Sequence, residues 1–270
     1  MDKMNKRIAL VTGASSGIGL VTARALAKAG YRVFGTSRKP VQSSPEVTML
    51  VGDVTDDESV RALIEDIVQQ AGRIDLVVNN AGVGLLGAAE ESSVPQAQRL
   101  FDVNVFGVAR VVNAVLPLMR QQGSGRIVNM SSILGLIPAP FNAFYAATKH
   151  AIEGYSESLD HEVRGFGVRV VTVEPGVTRT AFEENLSRAD RPLATYAADR
   201  QRSEALMRQW IDEGDAPEIV AEAVLRAATD PKPKLRYSAG KQSSQVRSLR
   251  RFLPERLVDR ALRRFNGFPV

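Results

Sequence analysis

The sequence of 270 residues contains no cysteine and only two histidines, His150 and His161. Without cysteine there is no disulfide framework and no thiolate metal site, which suits a reducing cytoplasm, where we expect the protein to act. Two scattered histidines are too few for a metal cluster and suit surface or packed helix positions. The sequence therefore predicts a protein without a bound metal.

The sequence also lacks a long apolar run. Residues 1–7 carry charges but no apolar segment ahead of a small-residue cleavage site, so no secretory signal is predicted. No run approaches the roughly 20 apolar residues of a membrane span. With 44% hydrophobic and 24% charged residues, the chain has the composition of a globular protein, and its length suits one large domain.

Positive charge is concentrated at the end of the chain. The formal net charge is +5, but residues 231–270 hold 11 Lys and Arg against 2 Asp and Glu. The first 230 residues hold 24 basic against 28 acidic residues, because the whole chain has 35 and 30. A nucleic-acid partner for the whole protein is therefore not expected.

A glycine-rich segment follows the first apolar run. Residues 7–12 have the composition of a buried strand, and a helical stretch ends near Ala29. Glycines between a strand and a helix let the backbone approach a pyrophosphate, and the helix N-terminus offers unpaired N–H groups. The same glycines would also suit a purely structural turn. The loop residues expected at a dinucleotide are Gly13, Ser15, Ser16, Gly17, Ile18 and Gly19.

Tyr145 and Lys149 lie four residues apart in the run 141–163, whose apolar positions recur at helical spacing. Such residues share a helix face about 6 Å along the axis. Lowering a tyrosine pKa from ~10 to neutrality takes about 4 kcal/mol. One ammonium about 5 Å away contributes ~3 kcal/mol at an effective dielectric of ~20, and a bound cationic ring would add to it. We therefore expect Lys149 to lower the pKa of Tyr145 for proton transfer at an alcohol or carbonyl oxygen, although this pair by itself also occurs by chance.

Several motifs together resemble the short-chain dehydrogenase/reductase family in its single-domain form. They are the spacing Gly-x-x-x-Gly-x-Gly after Thr12, the segment 79–82 with sequence Asn-Asn-Ala-Gly, Ser132 placed 13 residues before Tyr145, and Pro-Gly at 175–176. They follow the family order over roughly 230 residues, and the Glu-Pro-Gly segment and the tail are closest to steroid- and retinol-type members. The resemblance implies an α/β doubly wound Rossmann fold, with about seven parallel strands and helices on both faces. We expect a catalytic domain over 1–240 and a basic amphipathic C-terminal extension over 241–270.

The resemblance also implies catalytic roles. Tyr145 would act as the general acid or base, and Ser132 would polarise the substrate oxygen. Lys149 would lower the Tyr145 pKa and bind the nicotinamide ribose. Asn104 lies in a helical segment predicted from about 95 to 121, where the family's helix bends so that its backbone holds a water linking the lysine to solvent.

Cofactor preference is predicted from the end of the second strand, residues 31–37. An acidic residue there would bind a ribose 2′-hydroxyl, but Ser37 holds the place and is followed by Arg38 and Lys39. Arginine pairs well with a 2′-phosphate, so NADP(H) is expected in preference to NAD(H), although a solvated turn would look the same. The resemblance adds the cofactor contacts Tyr145, Lys149, Asp53, Val54, Asn80, Ala81, Gly82, Pro175, Gly176, Val177, Thr178 and Thr180, with Val177 or Thr178 providing a backbone contact to the carboxamide and Thr180 a hydroxyl.

Two segments outside the motifs have predicted roles. Residues 181–214 are polar and without periodicity, so we expect an irregular substrate lid over 181–215, followed by a capping sequence at 215–218. In the tail an apolar stripe faces arginines and is broken by Pro254; packing on the domain is favoured, and binding to an anionic membrane is the alternative. The stripe comprises Leu249, Phe252, Leu253, Leu257, Ala261, Leu262 and Phe265, and the arginines are Arg247, Arg250, Arg251, Arg256, Arg260, Arg263 and Arg264.

The sequence thus predicts an NADP(H)-dependent oxidoreductase that interconverts a secondary alcohol and a ketone or aldehyde by hydride transfer. One rival is a regulatory protein of this fold that binds the cofactor without turnover, and another is a peripheral membrane protein whose tail is its main functional part. Leu134, Phe141, Phe182 and Met207 suggest an apolar pocket for a small substrate, although core packing would select similar residues. The two long helical segments, 95–121 and 141–163, are the expected interface of a homodimer or homotetramer.

Overall fold

Short apolar runs form the strands of a parallel sheet. The structure, a computed structural model, describes residues 6–180 and 186–268. Within these ranges β-branched and other apolar residues supply most of the buried positions of the central strands, as expected for strands covered on both faces. In chain order the strands are β1 Ile8–Val11, β2 Arg32–Ser37, β3 Val47–Val51, β4 Leu76–Asn79, β5 Gly84–Leu86, β6 Gly125–Met130, β7 Val168–Pro175, β8 Leu186–Arg188 and β9 Arg236–Ala239.

Seven of these strands form one sheet in the order β3-β2-β1-β4-β6-β7-β9, and every pair is parallel. The predicted doubly wound sheet of about seven strands is confirmed. After β3 the chain crosses back to place β4 on the other side of β1. In open α/β sheets ligands bind where the strand order reverses, at the carboxyl ends of the strands. The topology therefore puts the glycine-rich loop after β1 at the expected binding crevice.

Helices cover both faces of the sheet and bury two apolar cores. One core contains Ile67, Val111 and Ile152, and the other contains Leu26 and Val224. The helices are α1 Gly17–Lys28, α2 Asp57–Ala71, α3 Val94–Phe101, α4 Gly107–Gln122, α5 Ala143–Val163, α6 Ala197–Asp212, α7 Pro217–Thr229, α8 Lys241–Phe252 and α9 Glu255–Phe265. Elements predicted from periodicity lie within about two residues of the observed bounds.

The expected irregular lid is wrong in its secondary structure. The described part, 186–215, contains β8, which pairs with β5 in a second, two-stranded sheet, and the 16-residue helix α6. Nothing in α6 is fully buried, so its sequence lacks the apolar stripe by which helices are recognised. The predicted start of a helix at 215–218 is confirmed, because Pro217 begins α7 and Glu218 lies in its first turn, although the N-cap Ala216 makes no side-chain bond.

A π-helical turn, Asp102–Phe106, joins α3 to α4. The continuous stretch Val94–Gln122 is the single helix of the described residues that is long and apolar enough to cross a membrane. This corrects the prediction that no such run exists, but core helices meet the same test. Val111, Val115 and Met119 are fully buried in the core against the sheet, so we interpret the stretch as a core helix.

The C-terminal extension forms two helices, α8 and α9, that meet at Pro254 as predicted. Its base is attached to the domain, because the hydroxyl of Ser243 donates to the carbonyl oxygen of Glu174 at 2.6 Å and Val258 is buried. The ring of Phe265 stacks on Trp210 of α6, with the ring centroids 4.5 Å apart. The favoured prediction, that the tail packs on its own domain, holds for this base.

A chain of buried hydrogen bonds connects the centre of the sheet to α5. The side-chain amide of Asn79 donates to Asn129 at 2.8 Å, and the amide of Asn129 donates to the hydroxyl of Ser156 at 2.9 Å. All three side chains are buried. Asn79, the first residue of the Asn-Asn-Ala-Gly segment, is therefore a structural residue that links β4 to β6 and α5.

We expect Asn129→Ala to lower the free energy of unfolding by about 2 kcal/mol, because the amide of Asn79 loses its buried acceptor. Urea unfolding of the full chain measures this change. Asn113→Ala, at an exposed position of α4, is the matched control and should change stability by less than about 0.5 kcal/mol. Equal effects of the two substitutions would contradict the importance of the buried chain.

Candidate active site

A cavity of about 1050 Å³ opens along the carboxyl ends of the parallel strands. Its walls come from the loops after β1, β4, β6 and β7, from α5, and from parts of α6 and the tail. Every predicted cofactor or catalytic residue lines it except Asn104. The lining residues predicted from the sequence are Gly13, Ser15, Ser16, Gly17, Ile18, Gly19, Ser37, Arg38, Asp53, Val54, Asn80, Ala81, Gly82, Ser132, Tyr145, Lys149, Pro175, Gly176, Val177, Thr178 and Thr180.

The loop between β1 and α1 forms a cradle that side chains would fill. Gly13 and Gly17 have φ of +65° and +53°, which favour glycine. A Cβ on Gly19 would lie well inside van der Waals contact with the carbonyl oxygen of Gly13 and the side chain of Asn80. Ser16, the N-cap of α1, makes no side-chain cap bond, and the first turn contains no acidic residue. The backbone N–H groups at the start of α1 are therefore uncapped, and the glycines let a ligand approach them closely. This arrangement fits the pyrophosphate of a dinucleotide.

Thr12 holds this cradle against the loop after β4. Its hydroxyl oxygen accepts from the backbone N–H groups of Asn80 and Ala81, both at 3.0 Å. In return the side-chain amide of Asn80 donates to the carbonyl oxygens of Thr12 at 2.9 Å and Gly13 at 3.1 Å. The sequence analysis used Thr12 only as part of the glycine motif, and its bridging position follows from the pairing of β1 with β4.

The end of β2 carries positive charge into the cavity. Arg38 and Lys39 line the wall with Ser37, and both basic residues are exposed. Asp53 lies nearby, and its carboxylate accepts from the backbone N–H of Thr55 at 2.9 Å and from the Thr55 hydroxyl at 2.7 Å. These bonds, with the positive charge of Arg38 adding to them, hold the pKa of Asp53 below its usual value. Asp53 is therefore ionised and fixed at the cavity wall.

Ser132 and Tyr145 meet at the wall of the cavity. Ser132 follows the end of β6, and its hydroxyl oxygen accepts from the backbone N–H of Leu134 at 3.1 Å. A hydrogen bond from Ser132 to the phenol of Tyr145 joins the two hydroxyl groups. The neighbouring Ser131 points elsewhere, because its Oγ is buried close to Gly135. The two cavity-facing hydroxyls can bind one oxygen atom of a ligand.

The pKa of Tyr145 is raised, not lowered as the sequence predicted. Burial raises it to about 12, and the bond from Ser132 offsets this only in part. The expected partner, Lys149, lies with its Nζ 5.6 Å from the centroid of the tyrosine ring. That Nζ donates to the carbonyl oxygen of Met130 at 2.9 Å. Desolvation of the phenolate is therefore the dominant influence on the pKa of Tyr145.

Lys149 itself is buried, and burial lowers its pKa to about 8 while the charge of Glu153 opposes that shift. Glu153 lies one helical turn beyond Lys149 and accepts from Arg236 at 2.8 Å. Arg236 also pairs with Glu174, at 3.6 Å. Glu174 is fully buried, and its pKa is raised to about 7 by burial and by the charge of Glu153. A buried network of Glu153, Arg236 and Glu174 thus lies next to the lysine, and no motif in the sequence indicated it.

Asn104 does not reach the cavity. It is buried in the π-helical turn, where its amide oxygen accepts from the backbone N–H of Val83 and its amide nitrogen donates to the carbonyl oxygen of Val83, both at 2.9 Å. The amide nitrogen also donates to the hydroxyl of Thr148 at 3.2 Å. The prediction of a special helix geometry at Asn104 agrees with this turn. The contacts make the side chain a positioning group between the loop after β4 and α5.

The loop after β7 is held by residues that the sequence analysis missed. The backbone N–H of Val177, a predicted carboxamide contact, donates to the side-chain oxygen of Gln242 in α8 at 3.1 Å. The carbonyl oxygen of Val177 accepts from the N–H of Asp215 at 3.0 Å. The hydroxyl of Thr178 donates to the carbonyl oxygen of Gly176 at 3.1 Å. Gln242 lies in the polar tail, where no motif distinguishes it.

The remaining wall of the cavity is mainly apolar, as expected for Leu134 and Met207, which line it. Phe141 does not; it is buried with φ of +60°, and its ring lies edge-on to Tyr196 at 6.3 Å. Phe182 lies outside the described residues. The tail and α6 add residues that the sequence did not predict. Lining residues found only in the structure include Ile133, Ile137, Pro138, Leu186, Trp210, Ile211, Gln242, Phe265 and Asn266. Within 6–180 and 186–268, no cluster of His, Asp or Glu could hold a metal.

Comparisons with known proteins agree with this architecture. A sequence model described as short chain dehydrogenase matches residues 7–191. The chain is 38% identical over 265 residues to a 3-ketodihydrosphingosine reductase of Bacteroides thetaiotaomicron, covering 97% of this chain and 98% of that protein. It is 36% identical over 253 residues to retinol dehydrogenase 8 of Bos taurus, covering 85% and 80%. The crystal structure of a short-chain dehydrogenase from Streptomyces avermitilis has a TM-score of 0.81 and 34% identity, covering 95% of this chain and 98% of that one.

Gly19→Ala should weaken cofactor binding at least about tenfold, because the added methyl group forces the backbone of the cradle apart. Calorimetric titration with NADPH measures the dissociation constant. Gly165→Ala is the matched control, since a Cβ there would meet nothing within 4 Å, and it should bind as the native chain does. Native affinity in Gly19→Ala would contradict the assignment of this loop.

Proposed function

The chain belongs to the short-chain dehydrogenase family and is an NAD(P)-dependent oxidoreductase, and from this premise we propose the chemistry of its site. It interconverts a secondary alcohol and a ketone or aldehyde, with Tyr145 as general acid and base. The observation that carries the proposal is the meeting of Ser132, Tyr145 and Lys149 in one cavity with the glycine cradle. The regulatory rival without turnover has no such support, since all three side chains are present and positioned.

The substrate oxygen binds between the hydroxyls of Ser132 and Tyr145. Ser132 is held by the N–H of Leu134, so its hydroxyl is oriented and stabilises the negative charge that develops on that oxygen. The nicotinamide ring supplies the hydride in reduction and accepts it in oxidation. Tyr145 gives the oxygen its proton in reduction and takes it back in oxidation.

The ionisation of the two partners favours reduction. With its pKa raised to about 12, Tyr145 is a neutral phenol at pH 7 and holds the proton it must donate. The pKa of Lys149 is about 8, so most of its ammonium remains protonated at pH 7 and loses its charge as the pH rises through 8. Oxidation requires the phenol of Tyr145 to lose its proton first. Additional positive charge next to the phenol would be needed to lower its pKa enough for this. The residues as they stand therefore suit a carbonyl reductase.

NADP(H) is the proposed cofactor. Arg38 and Lys39 line the cavity at the end of β2, and Ser37 stands where an acidic residue would repel a 2′-phosphate. The carboxylate of Asp53, which also lines this wall, accepts hydrogen bonds from Thr55 and interacts electrostatically with Arg38. This arrangement favours the 2′-phosphate of NADP(H) next to Arg38 over the free ribose 2′-hydroxyl of NAD(H).

An apolar carbonyl compound is the proposed substrate. The cavity of about 1050 Å³ also includes the cofactor loops, and its remaining wall contains the apolar residues Ile137, Leu134, Pro138, Trp210 and Phe265. Two similar proteins are named as a 3-ketodihydrosphingosine reductase and a retinol dehydrogenase, and both names are compatible with this substrate class. Trp210 of α6 and Phe265 of α9 stack together at this wall, which supports α6 and the tail as the substrate lid.

Location and assembly follow the same proposal. The cysteine-free chain and its nucleotide chemistry suit the cytoplasm.

A homodimer or homotetramer is proposed through α4 and α5, whose outer faces are exposed in the single chain at positions such as Asn113, Ala147 and His150. Light scattering of the full chain measures the assembly.

Tyr145→Phe should reduce kcat/KM for carbonyl reduction by a factor of about 10² to 10⁴, because it removes the hydroxyl group that donates the proton. NADPH consumption with ketones and aldehydes of increasing chain length, including 3-ketodihydrosphingosine, measures it. Tyr155→Phe, on the same helix and likewise half-buried, is the control and should retain native activity. Full activity in Tyr145→Phe would refute the mechanism, and a native enzyme silent on the whole panel despite tight NADPH binding would favour the regulatory alternative.

Arg38→Gln should raise KM for NADPH by about 10-fold or more and leave KM for NADH unchanged, because only the phosphate contact is lost. Steady-state kinetics with both cofactors in the same variant gives an internal control. Arg24→Gln, at an exposed position of α1, controls for the lost charge. Native preference for NADH, or an equal effect on both cofactors, would contradict the role of Arg38.

A further inference from the structure

The turn between α8 and α9 presents an exposed apolar surface, which we call the tail tip, residues 249–257. Every residue of the tail tip is exposed. The described residues expose eleven large apolar side chains, and four of them, Leu249, Phe252, Leu253 and Leu257, lie in these nine residues. Phe252 is 77% exposed, more than any other of the eleven. Such a concentration on a surface marks a site of interaction.

The apolar side chains of the tail tip are set among arginines. Arg250, Arg251 and Arg256 lie within it, against a single acidic residue, Glu255. The guanidinium of Arg251 lies 5.8 Å from the centroid of the Phe252 ring. The cationic character continues along α9, because Arg260 and Arg264 follow Arg256 at four-residue spacing and so share one face.

The tail tip is held in place by the rest of the tail. Ser243 at the start of α8 is bonded to Glu174, Val258 in the first turns of α9 is buried, and Phe265 at its end stacks on Trp210. The surface is therefore carried by an anchored pair of helices. This combines the two interpretations left by the sequence, since the base packs on the domain and the tail tip remains free of it.

We propose that the tail tip docks on an anionic lipid bilayer. The arginines of the tail tip would contact the negatively charged lipid headgroups, and its Phe and Leu side chains would insert into the apolar layer beneath them. A second copy of this chain matches less well, because its tail tip carries the same positive charge. A nucleic acid complements the arginines but offers nothing to four exposed apolar side chains.

Docking would bring the cavity close to the bilayer. Phe265 and Asn266, at the far end of α9, line the cavity, and eleven helical residues span about 16 Å. An apolar substrate dissolved in the bilayer would thus have a short path to the site. This last consequence depends on the proposed substrate class, whereas docking itself does not depend on catalysis.

Cosedimentation of the full chain with vesicles tests the proposal. Native protein should bind vesicles of phosphatidylcholine that contain roughly 30% phosphatidylglycerol, a composition chosen to give an anionic surface. It should not bind vesicles of phosphatidylcholine alone. Binding to the anionic vesicles should weaken as the salt concentration rises. Phe252→Ser with Leu253→Ser, and separately Arg250→Gln with Arg251→Gln and Arg256→Gln, should each weaken binding about tenfold or more.

Matched controls separate the tail tip from general effects. Phe166→Ser removes an exposed aromatic ring elsewhere, and Arg24→Gln with Lys28→Gln and Arg99→Gln removes the same charge elsewhere. Both should bind vesicles as the native chain does, with unchanged melting temperature and NADPH affinity in every variant. Phe252→Trp reports insertion directly, since its fluorescence should shift to the blue on anionic vesicles and not on neutral ones.

Other outcomes would overturn the proposal. They are the absence of native binding to anionic vesicles, equal binding by the tail-tip variants, or no fluorescence shift in Phe252→Trp. Association of the chain with itself through the tail tip, seen by light scattering without vesicles and lost in the serine variant, would assign the surface to a second copy. Binding to a DNA duplex through the three arginines, with no binding to vesicles, would assign it to nucleic acid. Because vesicle binding needs no turnover, its failure leaves the proposed reductase untouched, and an inactive protein can still bind vesicles.

Discussion

One buried hydrogen bond underlies the geometry of the site. The ammonium of Lys149, on α5, is held at 2.9 Å by the carbonyl oxygen of Met130, at the end of β6. Because Ser132 follows that strand and Tyr145 precedes the lysine by one helical turn, the bond sets the distance between the two hydroxyls. The buried chain from Asn79 through Asn129 to α5 fixes the same strand and helix from the other side. The buried ammonium of Lys149 thus helps to position the hydroxyl groups of Ser132 and Tyr145.

The cost of burying that charge explains the polar network around it. Glu153 and Glu174 are buried carboxyl groups that share Arg236, and the charge of Glu153 supports the ammonium whose pKa burial lowers. The same network reaches the tail, since Ser243 donates to the carbonyl oxygen of Glu174. Lys149, the loop after β7 and the C-terminal extension are therefore parts of one packed unit, which is why the tail contributes Gln242 and Phe265 to the cavity.

Local patterns determined much of this protein without the tertiary structure. The strands are runs of apolar and β-branched residues. The glycine cradle is recognised by the spacing of Gly13, Gly17 and Gly19, and Tyr145 and Lys149 lie four residues apart on one helix. Each signal is complete within a few residues of chain, because strand and helix periodicity and the backbone freedom of glycine act over that distance. The motifs then meet at one edge of the sheet, because the seven strands are parallel and each motif follows the carboxyl end of a strand.

Tertiary structure decided what depends on distant neighbours. The pKa of Tyr145 was wrong from the sequence, because spacing on a helix shows a nearby ammonium but neither the burial of the phenol nor the carbonyl group that binds the lysine. Helix α6 escaped prediction because it has no buried stripe, and Gln242 because a single polar side chain becomes a loop support only when α8 packs on β7. The sequence by itself therefore determined the elements and the reacting groups, whereas folding decided their ionisation and the walls of the cavity, since burial and contacts between distant segments exist only in the folded chain.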